Sequence, residues 1–290
     1  EFQRDEKFEG VVKTLTSLIQ VFSKTSKISG LSPDVSYEIA LMMSPRCQKS
    51  SIKTLNVKID DDVETCDLCS GIFFPGDRIV LCDKPSKKLK LFDKCQHCVS
   101  YLKMEDEPRF VCSMENETLA VTTSGGRIDF VSVARTLTKL SSISFNGSYY
   151  GIAFYHPNFI VYMYDGKQDT FLTYNKSNES LKHIHVPDHD SSASDKFCMS
   201  PDRQSIHYTA NSTVVTLDMD GNELNTFESD DLEGVCGITV NMNGIIYCCG
   251  KKSQTVIQVT PAWRQLGVLL SSDDGLKNPI DICLNKKNNV

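Results

Sequence analysis

Two cysteine pairs have the spacing of a metal site. Cys66-Asp67-Leu68-Cys69 and Cys95-Gln96-His97-Cys98 are both C-x-x-C, and four thiolates in tetrahedral array would hold a structural zinc ion. The 25 residues between Cys69 and Cys95 exceed the roughly 15–20 of a zinc ribbon. A second candidate is His183-Ile184-His185-Val186-Pro187-Asp188-His189. It approaches the H-x-H-x-D-H run of metal-dependent hydrolases but carries one residue too many. The acidic pairs Asp230-Asp231 and Asp273-Asp274 would suit calcium if they reached a common centre. Lys84, Lys87, Lys88, Lys90 and Lys94 cluster around one hairpin, where they form a candidate phosphate-binding patch. Against this, edge lysines also keep exposed hairpins from aggregating. G-x-S-x-G, H-E-x-x-H, Walker A and G-x-G-x-x-G motifs are absent, so no reaction class is signalled.

The elements that carry these residues decide between the readings. The chain has 290 residues, 40% hydrophobic and 23% charged, with a formal net charge of −6. That composition supports a large core. The acidic balance disfavours a nucleic-acid surface, whose affinity rests on Lys and Arg. No apolar run is long enough for a membrane helix. The twelve cysteines lie mostly in apolar strand-like runs, where they read as buried reduced thiols, and this implies a cytoplasmic protein. Five Asn-x-Ser/Thr triplets, at Asn116, Asn146, Asn175, Asn178 and Asn211, point the other way, but short sequons recur by chance in Asn- and Ser-rich loops. The chain opens on Glu1-Phe2 and reads as a piece of a longer protein.

Residues 1–30 differ from the rest. Phe8, Val12, Leu15, Ile19 and Phe22 follow a 4-3-4-3 spacing that predicts one seam of a helix, the end of a coiled coil. Gly30 and Pro33 would stop it. Residues 31–50 are expected to be a linker. From about residue 65 a β pattern repeats: apolar strand, polar turn, apolar strand. Examples are Gly71–Phe74 with Ile79–Cys82, Gly151–Phe154 with Ile160–Met163, and Gly237–Val240 with Ile245–Cys248. The turns recur about every 42 residues, and two further strand-like runs follow each pair. Four strands per repeat of this length predict propeller blades, stable only when packed against their neighbours. The expected fold is all-β: a six-bladed β-propeller over 51–290 with its last blade incomplete. The alternating segment Ile52–Ile59 is expected to supply the outer strand of the sixth blade. Within such a blade Cys69 and Cys98 lie three strand spacings apart, about 14 Å, so zinc is disfavoured.

The phrasing Ser70-Gly71-Ile72, Asp77-Arg78-Ile79-Val80-Leu81-Cys82-Asp83 and Lys88-Leu89-Lys90-Leu91-Phe92-Asp93, with the helix and the repeat, resembles the C-terminal NHL-like propeller region of invertebrate, mollusc-type tripartite-motif proteins. The resemblance implies a parent with RING and B-box zinc domains and a coiled coil that pairs chains. Such a parent is ubiquitin-ligase-like, and this region would be the non-catalytic part that recognises a protein partner or ubiquitination substrate. Candidate contact residues are the turn aromatics Tyr149, Tyr150, His156, Tyr164, Tyr208 and Trp263, because aromatic anchors dominate protein interfaces. No catalytic residue, metal or cofactor is expected. The alternatives are an RNA-binding NHL-type propeller and a calcium-dependent six-bladed propeller hydrolase.

Overall fold

The computed structural model describes residues 18–26, 35–42, 51–164, 167–175, 177–187 and 196–285, with side chains from Leu55 onward. Three strands come first: β1 (Leu18–Ser26), β2 (Val35–Met42) and β3 (Ser51–Leu55). Five blades follow, each of four consecutive antiparallel strands. Blade one is β4 (Leu68–Phe74), β5 (Arg78–Asp83), β6 (Lys88–Phe92) and β7 (Cys98–Lys103). Blade two is β8 (Pro108–Ser113), β9 (Thr118–Thr123), β10 (Arg127–Val133) and β11 (Leu137–Ser144). Blade three is β12 (Ser148–Tyr155), β13 (Asn158–Tyr164), β14 (Asp169–Asn175) and β15 (Ser180–His185). Blade four is β16 (Phe197–Met199), β17 (Ser205–Ala210), β18 (Thr213–Asp218) and β19 (Glu223–Phe227). Blade five is β20 (Val235–Val240), β21 (Ile246–Gly250), β22 (Thr255–Val259) and β23 (Gln265–Leu270). The last strand is β24 (Pro279–Asn285).

Among the described residues the protein is therefore a β-propeller with five blades of the expected repeating kind, not six. The remaining four-stranded sheet is no repeat of consecutive strands. It is pieced together in the order β24-β1-β2-β3, with β3 in the outermost place predicted for the 52–59 alternation. Two expectations about the N-terminal region are corrected here. Ile19 and Phe22 of the predicted helical seam lie in strand β1, which pairs with β2 on one side and β24 on the other. Phe8, Val12 and Leu15 lie outside the described residues. Part of the predicted 31–50 linker is strand β2. Two-sided pairing satisfies every backbone group of a strand, which outweighs a weak local helical period.

Each blade buries its two faces against different neighbours, because successive strand residues point to opposite sides. In β5, Val80 enters a core shared with Leu119, Val121 and Val131 of blade two, whereas Leu81 enters one shared with Leu55 and Val57. Blade five repeats the device: Cys248 packs toward Val214 and Phe227 of blade four, and Cys249 toward Ile282 and Leu284 of β24. Four of the innermost strands, β4, β8, β12 and β20, also share an irregularity. Register shifts fall at Leu68/Ser70, Pro108/Phe110, Tyr149/Ile152 and Val235/Gly237. The extra residue of such a bulge leaves the ladder and is free to reach sideways. Cys69 Sγ donates to Pro108 O at 3.2 Å, Arg109 stacks over the Tyr150 ring at 5.1 Å, and Cys236 Sγ donates to Pro279 O at 2.9 Å. In each case the bulge residue grips the first residues of the following sheet.

Candidate functional site

The metal candidates resolve first. Cys69 and Cys98 lie on strands at opposite edges of blade one. Cys95 is exposed in the turn before β7, and Cys98 donates to Ser100 O at 3.5 Å. Cys66 instead joins Asp62 and Asp83 in a buried group whose ligand-type atoms lie within 4.8 Å of one another. That group already surrounds a cation. Lys90 Nζ lies 2.5 Å from Asp62 Oδ2, 2.6 Å from Asp83 Oδ2 and 3.2 Å from Cys66 Sγ, and donates to Val57 O at 2.9 Å. Lys88 adds bonds to Asp62 Oδ1 at 2.9 Å and Asp61 O at 2.6 Å. Burial pushes Asp62 up, but the hydrogen bonds from Lys90, the Ile59 N–H and Lys88 outweigh it and hold the carboxyl at about 2. Burial, with the Asp83 charge, pushes the Cys66 thiol up to about 12. The donor set suits an ammonium, with the thiol protonated, and it staples residues 57–66 onto blade one.

This geometry also corrects the basic patch. Lys88 and Lys90 are buried and neutralised. Lys84 and Lys87 sit in the β5–β6 turn and Lys94 in the β6–β7 turn, at opposite ends of the blade. The five lysines do not form one surface. His183 and His185 are both exposed on outer strand β15, while Asp188 and His189 lie outside the described residues. Asp231 accepts from Gln265 Nε2 at 2.7 Å, and Asp274 caps its own turn from Ser271 N at 3.0 Å. Neither acidic pair lines the central channel. That channel is narrow, about 120 Å³, and draws residues from every innermost strand, including Ser70, Phe110, Gly151, Ile238 and Asp281. Lys196 crosses it, paired with Asp281 at 3.1 Å, donating to Cys69 O at 2.8 Å and lying over Phe110. Asp281 is the one carboxylate among the described channel residues, and a lysine already holds it. Such a lining offers no cage of oxygen ligands for calcium.

A larger groove opens between blades four and five, on the face formed by the first-to-second and third-to-fourth strand turns. Its volume is about 530 Å³. Three turns frame it, and each is fixed by its own leading side chain. Ser200 Oγ accepts from Ser205 N at 3.0 Å, Asn241 Oδ1 accepts from Asn243 N at 3.0 Å and Ile245 N at 2.9 Å, and Thr260 Oγ1 accepts from Arg264 N at 3.0 Å. Such side-chain-closed turns hold loop residues in one place. Trp263 sits at the tip of the third turn with φ of 58°, a left-handed conformation that costs a bulky residue about 1 kcal/mol or more. Its ring lies against His207 at 5.5 Å and Phe227 at 5.9 Å. Met242 (67% exposed) and Leu224 (59% exposed) stand on the rim. His207 is bonded through Nδ1 to Thr216 Oγ1 at 3.0 Å, and burial lowers its pKa to about 4, so it lines the groove as a neutral ring. Asn225 lines the same groove, and its buried Nδ2 has no hydrogen-bond partner among the described residues. An apolar concavity with a few placed polar groups is the usual form of a binding site.

The predicted contact residues scatter. Trp263 is in this groove. His156 lies on the same face, in a smaller groove of about 270 Å³ between blades two and three, with Nδ1 3.3 Å from Glu115 Oε2. Tyr149 and Tyr208 are core residues, only 1% and 3% exposed; Tyr149 donates to Phe145 O and accepts from Phe145 N. Tyr150 is half-buried against Tyr162. Tyr164 ends β13, at the opposite face. Sequence reasoning missed Leu224, Asn225, Met242 and His207. One signal was available: an apolar methionine inside the polar turn Asn241-Met242-Asn243-Gly244.

No family model matches this chain, and no curated protein matches it. Solved structures do. A protein of unknown function from Bacteroides caccae shares 12% identity over 93% of this chain and 98% of its own, with a TM-score of 0.67. A chain of a nidogen/laminin complex shares 10% over 92% and 98%, with a TM-score of 0.65. Virginiamycin B lyase from Staphylococcus aureus shares 9% over 70% of each chain, with a TM-score of 0.53. At these identities the likeness establishes the propeller fold alone. Among the described residues no helix is long and apolar enough to cross a membrane.

Proposed function

We propose that this propeller is a non-catalytic recognition module that takes a segment of a partner protein into the groove between blades four and five. The observation that carries the reading is the combination of a strained, half-buried Trp263 and two exposed apolar rim residues around a groove of about 530 Å³. An extended peptide supplies what this surface lacks, an apolar side chain to cover Trp263, Met242 and Leu224. The nidogen/laminin neighbour is found in a complex between proteins, which fits the fold's use as a docking platform without identifying a partner here. In the finer form of this reading, the resemblance to tripartite-motif proteins makes the captured partner a substrate of a ubiquitin-ligase-like parent.

Trp263 is the single tryptophan of the chain, so its fluorescence reports the groove directly. Peptides selected from a displayed random library against the whole chain are expected to shift that emission, to share an apolar anchor, and to lose at least tenfold in affinity against Met242→Asp. Peptides that bind Met242→Asp and Trp263→Ala as tightly as the parent chain would refute the assignment of the groove.

A further inference from the structure

The bulge at Val235/Gly237 brings two thiols together. Cys236 is the residue left out of the ladder, and Cys249 pairs with Gly237 beside it. Their sulfurs lie 3.5 Å apart. Gly237 makes the approach possible, since a Cβ there would lie 2.7 Å from Cys249 Sγ. The two cysteines differ in access: Cys236 is half-buried, whereas Cys249 is sealed in the core between blade five and β24. Blade one repeats the arrangement, with Cys69 in the bulge of β4 and Cys82 on β5. In both copies the bulge thiol donates to the leading proline carbonyl of the next sheet and to the carbonyl of its cysteine partner.

We infer that Cys236 and Cys249 are a modification site, a dithiol that peroxide-class oxidants convert to a cross-strand disulfide. The sulfur of the half-buried Cys236 attacks a peroxide oxygen. The O–O bond breaks, an S–O bond forms, and one water leaves with the thiol proton. Cys249 sulfur then attacks Cys236 sulfur: the S–S bond forms, the S–O bond breaks, and the departing hydroxide takes the Cys249 proton as a second water. Two thiols and one hydrogen peroxide give one disulfide and two waters, with sulfur oxidised and peroxide oxygen reduced. The sulfurs close from 3.5 Å to about 2.05 Å. The cost is the Cys236 S–H donor, so Pro279 O loses its bond at the junction between blade five and β24.

The test uses the whole chain exposed to hydrogen peroxide, with remaining thiols blocked by iodoacetamide after unfolding. Chymotryptic cleavage after Tyr247 separates Cys236 from Cys249. The expected product is a non-reduced peptide pair joined through Cys236 and Cys249, two hydrogens lighter than the sum of its parts and released by dithiothreitol. Cys248→Ala, which alters the neighbouring thiol on the opposite face of β21, is expected to leave the link intact. Recovery of both cysteines as alkylated thiols, a link to Cys248 instead, or Cys236 carried only to sulfinic or sulfonic acid would each overturn the inference.

Discussion

Replacing Lys90 by methionine removes a fully buried ammonium that touches two fully buried carboxylates, at 2.5 Å and 2.6 Å. Breaking a buried ion pair from one side costs about 3–5 kcal/mol, because the partner charge stays behind without compensation. Here the loss belongs at the lower end. Asp62 keeps Lys88 and the Ile59 N–H, and Asp83 keeps Ser86 Oγ and the Asp67 N–H. The expected loss is about 3 kcal/mol, roughly a hundredfold in the folding equilibrium. Adding Asp83→Asn removes one stranded charge and is expected to return about half of that. Urea unfolding followed by Trp263 emission measures both variants, and an unchanged slope would show that only stability moved. A loss under about 1 kcal/mol for Lys90→Met, or a double variant no better than the single one, would refute the view that this cluster is a compensated charge group. The cluster also sets an acid limit. Asp62 is held at about 2 in the fold, below an unfolded aspartate near about 3.9. Its contribution is therefore complete above about pH 4 and is lost as pH falls toward 2.

His207 titrates in a different window. Burial lowers it to about 4 against about 6.5 unfolded, so the unfolded chain takes the proton first. Stability should fall as pH drops from about 6.5 to about 4, and His207→Gln should flatten that stretch of the urea-midpoint profile. Gly237→Ala sets a Cβ 2.7 Å from Cys249 Sγ and 3.0 Å from backbone atoms of Asp281 and Ile282. A shift of the innermost strand costing about 1–3 kcal/mol is expected, measured by the same unfolding midpoint.

The repeat was legible because each blade needs the same alternation of short apolar strands and polar turns, and Pro75-Gly76-Asp77 or Asn241–Gly244 signals its turn without reference to the rest of the chain. The N-terminal strands were not. Ile19 and Phe22 fit a helical seam locally, and their second strand partner, β24, lies some 260 residues away, beyond the reach of any local pattern. Lys88-Leu89-Lys90-Leu91 reads as a half-exposed strand with lysines in water, yet all of β6 is buried. Its compensating carboxylates lie in a preceding crossing segment, Asp61 and Asp62, and on the neighbouring strand, Asp83. The groove was legible only in part. Trp263 and His156 are turn residues by local signal, but which turns meet across a blade junction depends on the ring, and Tyr149 and Tyr208 face its interior.

The sideways grip of the bulge residues is unevenly distributed around the disc. Cys69, Arg109 and Cys236 each clasp the sheet that follows. In blade four, by contrast, β16 is three residues long and pairs with β17 without a register shift. Blade four is tied to blade five elsewhere, at the face away from the groove, where Val235 N–H donates to Asn211 O at 3.0 Å and Gly234 N–H to Ser212 Oγ at 3.2 Å. A guest wedged beside Trp263 would therefore bear on one rim of a junction that is stitched at the other.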